Sequence, residues 1–153
     1  MPKVLISDAM DDIAEKILLS NNIEVDVITN FTPDELNQNI ISYDGLIVRS
    51  ATKVNKEVIE NAKNLKVVGR AGAGVDNIDI NAAKQKNIIV MNTPGGNTNA
   101  TAEHTLALLL SLSRKISKAD ITTHKGEWAK KNLKGNEIKG KTIGIIGFGN
   151  VGK

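Results

Sequence analysis

Five short apolar runs dominate the first part of the chain: Val4 to Ser7, Glu24 to Ile28, Gly45 to Val48, Lys66 to Gly69 and Ile88 to Met91. Each is followed by a polar or glycine-bearing turn and then by a helical pattern. Strands that alternate with helices pair in parallel, because each return to the same end of the sheet needs a crossover. Runs that are apolar almost throughout belong to strands covered on both faces. The expectation is therefore an α/β fold with a doubly wound, parallel, five-stranded sheet.

The intervening helices carry local signals. Thr32-Pro33-Asp34-Glu35 is a capping box with proline at the first helical position, and Phe31 stands where it can staple onto Leu36. Asp11 to Ser20 puts Ile13, Ile17 and Leu18 on one stripe, and Asn55 precedes a segment carrying Val58, Ile59 and Ala62. A short helix is expected over Ile80 to Gln85, ending near Asn87.

Beyond Pro94 to Asn97 the cadence stops, which marks the expected domain boundary: 1–96 and 97–153. A long helix is expected over about Thr98 to His124. Leu106, Leu108, Leu109, Leu110 and Leu112 surround it instead of keeping to one stripe, so it is expected to be buried all round. Either a second domain of the same subunit or a subunit interface would cover it. A lysine-rich connector follows, with the chain's one tryptophan, Trp128, in a position either to cap a local apolar cluster or to anchor an interface. Thr142 to Ile146 then reads as a buried strand. After it come Gly147, Gly149 and Gly152 at the G-x-G-x-x-G spacing of a dinucleotide loop. Such glycines make the tight turn, let backbone approach a pyrophosphate and let helix pack on strand.

Composition narrows the function classes. With no cysteine there is neither a disulfide framework nor a thiolate metal site. The chain opens without a signal-like apolar stretch and has no run long enough to span a membrane, so a cytoplasmic protein is expected. The formal net charge of +3 is slight, and the lysines after Lys115 lack interleaved aromatics other than Trp128. They read as a solvated face and not as a nucleic-acid surface.

In an open parallel sheet, ligands bind beyond the carboxyl ends of the strands. Those ends read Val48-Arg49-Ser50, then Gly69-Arg70-Ala71-Gly72-Ala73-Gly74, then Asn92-Thr93-Pro94-Gly95-Gly96-Asn97. They offer a fixed cation, bare backbone and an amide, which together suit an anion. Arg49 can hold a carboxylate or phosphate through two parallel N–H bonds; its alternative is a surface ion pair with Asp44 or Glu57. Gly72-Ala73-Gly74-Val75-Asp76-Asn77 imitates the dinucleotide fingerprint but has Asn77 at the third glycine position. Its glycines are expected to serve a positive φ or a close backbone approach. His104 and His124, the two histidines, have no metal-ligand spacing and are expected to be surface or packed residues. No metal site and no nucleophile with a partner base are evident.

Val48-Arg49-Ser50-Ala51-Thr52-Lys53, GRAGAGVDNID at Gly69 to Asp79, NTPGGNT at Asn92 to Thr98 and GIIGFGNVGK at Gly144 to Lys153 together resemble the D-isomer-specific 2-hydroxyacid dehydrogenases. The resemblance runs the length of the chain. It implies a flavodoxin-like substrate domain over 1–96, and over 97–153 the start of an NAD-binding Rossmann domain. It also implies NAD-dependent oxidation of a D-2-hydroxy acid. The VRSATKV and RAGAGVDN wording points to D-3-phosphoglycerate, as in the first step of serine synthesis; glycerate-, hydroxypyruvate- or lactate-type activity is the alternative. By the resemblance, Arg49 and Asn97 hold the substrate's anionic groups, with Ser50, Gly72 and Gly74 in the same turns. Ala73 lies beside substrate and nicotinamide, and Gly147, Gly149, Asn150, Val151 and Gly152 contact the cofactor pyrophosphate. The family's catalytic histidine, its glutamate partner and a second substrate arginine match no position here. The chain is thus expected to be an inactive N-terminal portion that binds NAD weakly or not at all. The helix around Thr98 to His124 and Trp128 resemble the family's homodimer contact. Two readings from other classes stand beside this one. One is a receiver-like module using the acidic cluster Asp8, Asp11 and Asp12; the other is a non-catalytic binding or dimerisation module.

Overall fold

A computed structural model describes residues 1–153. The chain divides into two compact units, Met1–Gly96 and Asn97–Lys153. In the first unit, β1 (Lys3–Ile6), β2 (Glu24–Val27), β3 (Gly45–Val48), β4 (Val67–Arg70) and β5 (Ile89–Asn92) alternate with α1 (Ile13–Ser20), α2 (Pro33–Asn39), α3 (Lys56–Asn61) and α4 (Ile80–Gln85). All strands are parallel, in the order β2-β1-β3-β4-β5. The five expected runs are the five strands, displaced by at most a residue. The order is that of flavodoxin-like folds, with the winding direction reversing between β1 and β3.

Strand alternation divides the buried residues between two faces. Leu5, Leu46, Val48 and Val68 join Leu36, Ile40, Val58, Ile59, Ala62, Ala82 and Ala83 in one core beneath α2, α3 and α4. Val4 and Ile6 point the other way and are also buried, on the face where α1 packs against β2. Cover is not complete on that second face. Ile89 and Met91 of β5 remain 63% and 58% exposed, because no helix of this unit reaches them.

The expected caps at Thr32 and Asn55 are present, and Asp79 supplies a further one. Thr32 Oγ1 accepts from the Glu35 amide while Glu35 Oε2 accepts from the Thr32 amide at 2.8 Å, and Phe31 packs against the core. Asn55 and Asp79 accept from the amides of Val58 and Ala82, at 3.0 and 2.9 Å. Each cap contributes about 1 kcal/mol. Asn87 turns the chain into β5 with a left-handed φ of 56°.

At the amino edge of the sheet, Lys3 Nζ lies 2.9 Å from Asp26 and 3.0 Å from Glu24. The Tyr43 hydroxyl donates to Asp26 at 2.7 Å, and Asp44 accepts from the Lys3 amide and from Lys66 Nζ. The hydrogen bond from Lys3, then that from Tyr43, holds the Asp26 carboxyl below the usual carboxylate range. Burial, reinforced by Asp26, pushes the Tyr43 hydroxyl up to about 12.

The second unit departs from expectation twice. The long helix is two helices, α5 (Thr98–Arg114) and α6 (Ile116–His124). They are separated by Lys115, which is left-handed at φ 55° and ψ 38°. Apolar spacing continues through the break, so periodicity does not reveal it. These helices bury no side chain within the unit: Leu108 and Leu112 are 57% and 81% exposed, and Trp128 is 90% exposed. The expectation of burial all round is not met by this chain. Thr142 to Ile146, expected as a strand, forms no ladder. A strand exists only through a neighbour's N–H and C=O groups, and this unit contains no other strand. The connector is latched to α5, because the Asn136 amide donates to Ser113 O at 2.8 Å. A Cβ at Gly135 would lie 2.5 Å from that same carbonyl. No helix in the chain is long and apolar enough to cross a membrane.

Two outcomes follow for stability. Leu46, fully buried in the core, is expected to cost about 2–5 kcal/mol on replacement by alanine, measured by urea unfolding of the first unit's far-UV signal. The pH dependence should fall on both sides of neutrality. Asp26, Glu35, Asp44 and Asp76 all ionise below the usual carboxylate range when folded. Their contribution is therefore present above the unfolded value of about 4 and lost as pH falls through the lowered folded values. Tyr43, raised to about 12, contributes below the unfolded value of about 10, and that contribution is lost as pH climbs toward 12. Urea midpoints measured from pH 3 to 11 should show a plateau with two shoulders. Lys3→Met should flatten the acid shoulder; a midpoint that rises toward pH 3 would contradict this account.

Candidate functional site

The chain leaving β3 has no strand partner, and two side chains distant in sequence take over its hydrogen bonds. Asp8, just beyond β1, is 5% exposed. Its carboxylate accepts from the Arg49 amide at 2.5 Å, from the Thr52 amide at 3.1 Å and from the Thr52 hydroxyl at 2.8 Å. From the other side the Asn77 amide donates to Arg49 O at 2.8 Å and to Thr52 O at 2.6 Å. Arg70 Nε also donates to Arg49 O, at 3.2 Å. Ser7 Oγ reaches Thr52 Oγ1 at 3.1 Å, so Thr52 is held through its backbone and its hydroxyl.

What this turn presents is Arg49. Its guanidinium is exposed and makes one contact, to Ala9 O at 3.2 Å. The alternative ion pair with Asp44 or Glu57 does not form. Asp44 is committed to Lys66 and the Lys3 amide, and Glu57 forms no ion pair with Arg49. The cation is left open to a ligand, with Ser50 exposed beside it.

The turn after β4 lies alongside. Arg70, whose side chain is only 11% exposed, pairs with Asp76 at 2.5 Å and holds its carboxyl below the usual range. A Cβ at Gly74 would stand 2.9 Å from both Arg70 Nη1 and Asp76 Oδ1, so this glycine is explained by close approach. Neither Gly72 nor Gly74 has positive φ. Asn92 Nδ2 donates to Ala73 O at 2.7 Å and the Thr93 amide to Gly72 O at 3.0 Å, which ties the turn to the end of β5. The structure thus brings Arg49, Ser50, Gly72, Ala73 and Gly74 to one stretch of the sheet's carboxyl edge.

The remaining expected residues belong to the second unit. Asn97 caps α5 with its carbonyl, which accepts from the Thr101 amide and hydroxyl at 2.9 and 2.8 Å, while its side-chain amide makes no capping bond. Gly147 is at φ +94°, nothing lies within 4 Å of a Cβ built at Gly149, and a Cβ at Gly152 would collide with Gly147 O. Asn150, Val151 and Gly152 form a turn and not the start of a helix. This turn is bare and open, but it is followed by no helix and preceded by no strand, so the close helix–strand packing expected of the third glycine is not present.

No acid–base pair faces either set. His124 sits on the surface of α6, 79% exposed and 3.2 Å from Asp120 one turn away; His104 is exposed on α5. The first unit has no histidine, and no three metal-ligating side chains cluster. The acidic trio of the receiver-like reading is already engaged. Asp8 holds the turn, Asp11 accepts from the Ile13 amide and Asp12 pairs with Lys16. Asp8, Asn77 and Arg70, which hold the Arg49 turn, were not revealed as a group by spacing. The one available signal was Asn77 standing where the decoy motif lacks its glycine.

A family model described as the catalytic domain of D-isomer specific 2-hydroxyacid dehydrogenases matches residues 4–145. The chain belongs to that family. As a 2-hydroxyacid dehydrogenase chain it is 50% identical, over 150 residues, to the D-3-phosphoglycerate dehydrogenase of Archaeoglobus fulgidus, a match covering 98% of this chain and 28% of the relative. It is 45% identical to the hydroxypyruvate reductase of Thermotoga maritima, covering 99% of this chain and 49% of that protein. It therefore spans between about a quarter and a half of the length of these relatives. Among solved structures, a protein of Thermus thermophilus superposes with a TM-score of 0.90 at 34% identity, covering 98% of this chain and 50% of the other. The NAD+-bound 3-phosphoglycerate dehydrogenase of Entamoeba histolytica superposes with a TM-score of 0.79 at 36% identity, covering 99% and 48%. The 2-hydroxyacid dehydrogenases are NAD-dependent enzymes.

Proposed function

We propose that this chain carries the anion-holding part of the substrate site of a D-3-phosphoglycerate dehydrogenase, with residues 1–96 as substrate-binding domain and 97–153 as the start of the NAD-binding domain. The observation that carries the reading is Arg49, an exposed guanidinium with no carboxylate partner on a turn fixed from both sides. A planar guanidinium donates two parallel N–H bonds to a carboxylate or phosphate, and such charge-assisted bonds are about twice as strong as neutral ones. Ser50 and the turn of Gly72, Ala73 and Gly74 stand beside it. Asn97, whose side-chain amide makes no capping bond, is the amide that the family resemblance assigns to the hydroxy acid. Similarity to phosphoglycerate dehydrogenases over nearly all of the chain supports the phosphorylated substrate.

The bare turn of Gly147, Gly149, Asn150, Val151 and Gly152 would hold the pyrophosphate of NAD, which when bound supplies the hydride acceptor. The chain's own contribution is binding and orientation. By the family resemblance the catalytic histidine and its glutamate partner match no position of this chain, and its two histidines lie exposed on α5 and α6. The exposed leucines of α5 and the exposed Trp128 support a homodimer contact in that region, and the absence of cysteine supports a cytoplasmic setting. Resemblance to a hydroxypyruvate reductase favours, as second reading, an unphosphorylated hydroxy acid.

The chain is expected to bind D-3-phosphoglycerate more tightly than D-glycerate in an NMR titration. Arg49→Gln should weaken binding by about ten- to a hundredfold, the loss of a charge-assisted pair of about 1.5–3 kcal/mol. Equal affinity for the two acids would favour the second reading. Mixed with D-3-phosphoglycerate and NAD, the chain by itself should form no NADH; sustained turnover would place an acid–base group among its residues.

A further inference from the structure

We propose that Asp8 is a positioning residue for anion binding, acting with Thr52 and Asn77 to hold Arg49 in its binding pose before any ligand arrives. This rests on the reading of Arg49 as the anion-holding cation.

The geometry is a two-sided clamp on residues 49–52. Both amides at the ends of the turn, those of Arg49 and Thr52, point to the single carboxylate of Asp8. Both carbonyls at the same two positions accept from the single side-chain amide of Asn77. One side chain comes from the end of β1 and the other from the segment after β4, so the turn is gripped across the sheet. The chemistry at each position is specific. An ionised carboxylate is acceptor-only, and three donors converge on it: two amides and the Thr52 hydroxyl. An asparagine at position 8 would turn an NH2 group toward one of those donors. Asn77 is needed in the reverse sense, because two carbonyls require two N–H bonds from one group. Its Oδ1, buried and without a partner, marks an orientation fixed by those carbonyls.

The clamp also settles where the Asp8 charge goes. A carboxylate next to an anion site would ordinarily neutralise its arginine. Here it is engaged by backbone N–H groups and a hydroxyl, and it forms no ion pair with the guanidinium. The result is a rigid base beneath a free cation. A turn ordered beforehand loses little conformational freedom on binding, and affinity rises accordingly. A loosened turn would keep the same Arg49 but give up that advantage.

The test uses the 153-residue chain, reading amide hydrogen exchange by NMR together with D-3-phosphoglycerate affinity. Asp8→Asn is expected to accelerate exchange at the Arg49 and Thr52 amides and to weaken binding at least tenfold, while protection in β4 is retained. Thr52→Val, which removes only the hydroxyl donor, is expected to produce a smaller loss of about threefold, and Thr52→Ser to restore wild-type affinity. That pair keeps the proposal testable should Asp8→Asn fail to fold. Arg49→Gln should weaken binding by about ten- to a hundredfold while leaving the two amides protected. If Arg49→Gln weakens binding to that extent but Thr52→Val and Asp8→Asn leave affinity unchanged, the positioning role is overturned and the substrate-site reading stands. If Arg49→Gln leaves affinity unchanged, both fall, since the clamp then positions nothing that holds the anion.

Discussion

A parallel strand that reaches the carboxyl edge of its sheet leaves behind the neighbours that paired its backbone, and the next few N–H and C=O groups have to be satisfied by something else. In this chain the problem is most acute after β3, which lies next to the point where the winding reverses. It is met by a carboxylate from one side and an amide from the other. Asp8 and Asn77 stand 69 positions apart in the sequence, yet close on the same four residues. The ladders of β1, β3 and β4 determine how far apart these two groups are held, so the shape of the turn at residues 49–52 is inherited from sheet register. The hydrophobic core beneath α2, α3 and α4 fixes that register, and a slip of one residue would turn Leu46 and Val48 to the opposite face.

Much of this was legible from residues alone, for identifiable reasons. Strands buried on both faces write themselves as unbroken apolar runs, which is why all five were readable, and the caps at Thr32 and Asn55 are short-range chemistry contained within four residues. Arg49 was readable as a candidate because a cation directly after a strand lands at the edge where ligands bind. Its freedom from Asp44 was not readable, since that depended on Lys66 reaching Asp44 first. Asp8 looked like one of three acidic residues clustered after the first strand, and only the pairing of β1 with β3 separates it from Asp11 and Asp12.

The departures from expectation concern the second unit, and two of them share a cause. Apolar spacing records the burial a segment is suited to, whereas structure records the partners it has. Thr142 to Ile146 has the composition of a central strand and no strand to pair with, so it forms no ladder and its isoleucines stay exposed, Ile146 fully so. The leucines of α5 have the distribution of a buried helix and remain open. The break at Lys115 is different in kind. A left-handed residue that is neither glycine nor asparagine is uncommon, and nothing in the local pattern announces it.

The placement of the two strongly absorbing side chains has a spectroscopic consequence. The chain has one tyrosine and one tryptophan. Tyr43 is sealed into the first unit with its hydroxyl on Asp26, while Trp128 belongs to the second unit and is already in water. Indole emission, the usual reporter of folding, therefore starts near its solvent-exposed limit and is blind to the α/β core. Events in the sheet register instead in the phenol, whose fluorescence is quenched by proton transfer or hydrogen bonding to the neighbouring carboxylate and recovers when that contact is broken. The two halves of the molecule carry separate optical labels by nature, one selective at the red edge of excitation and the other visible only below it.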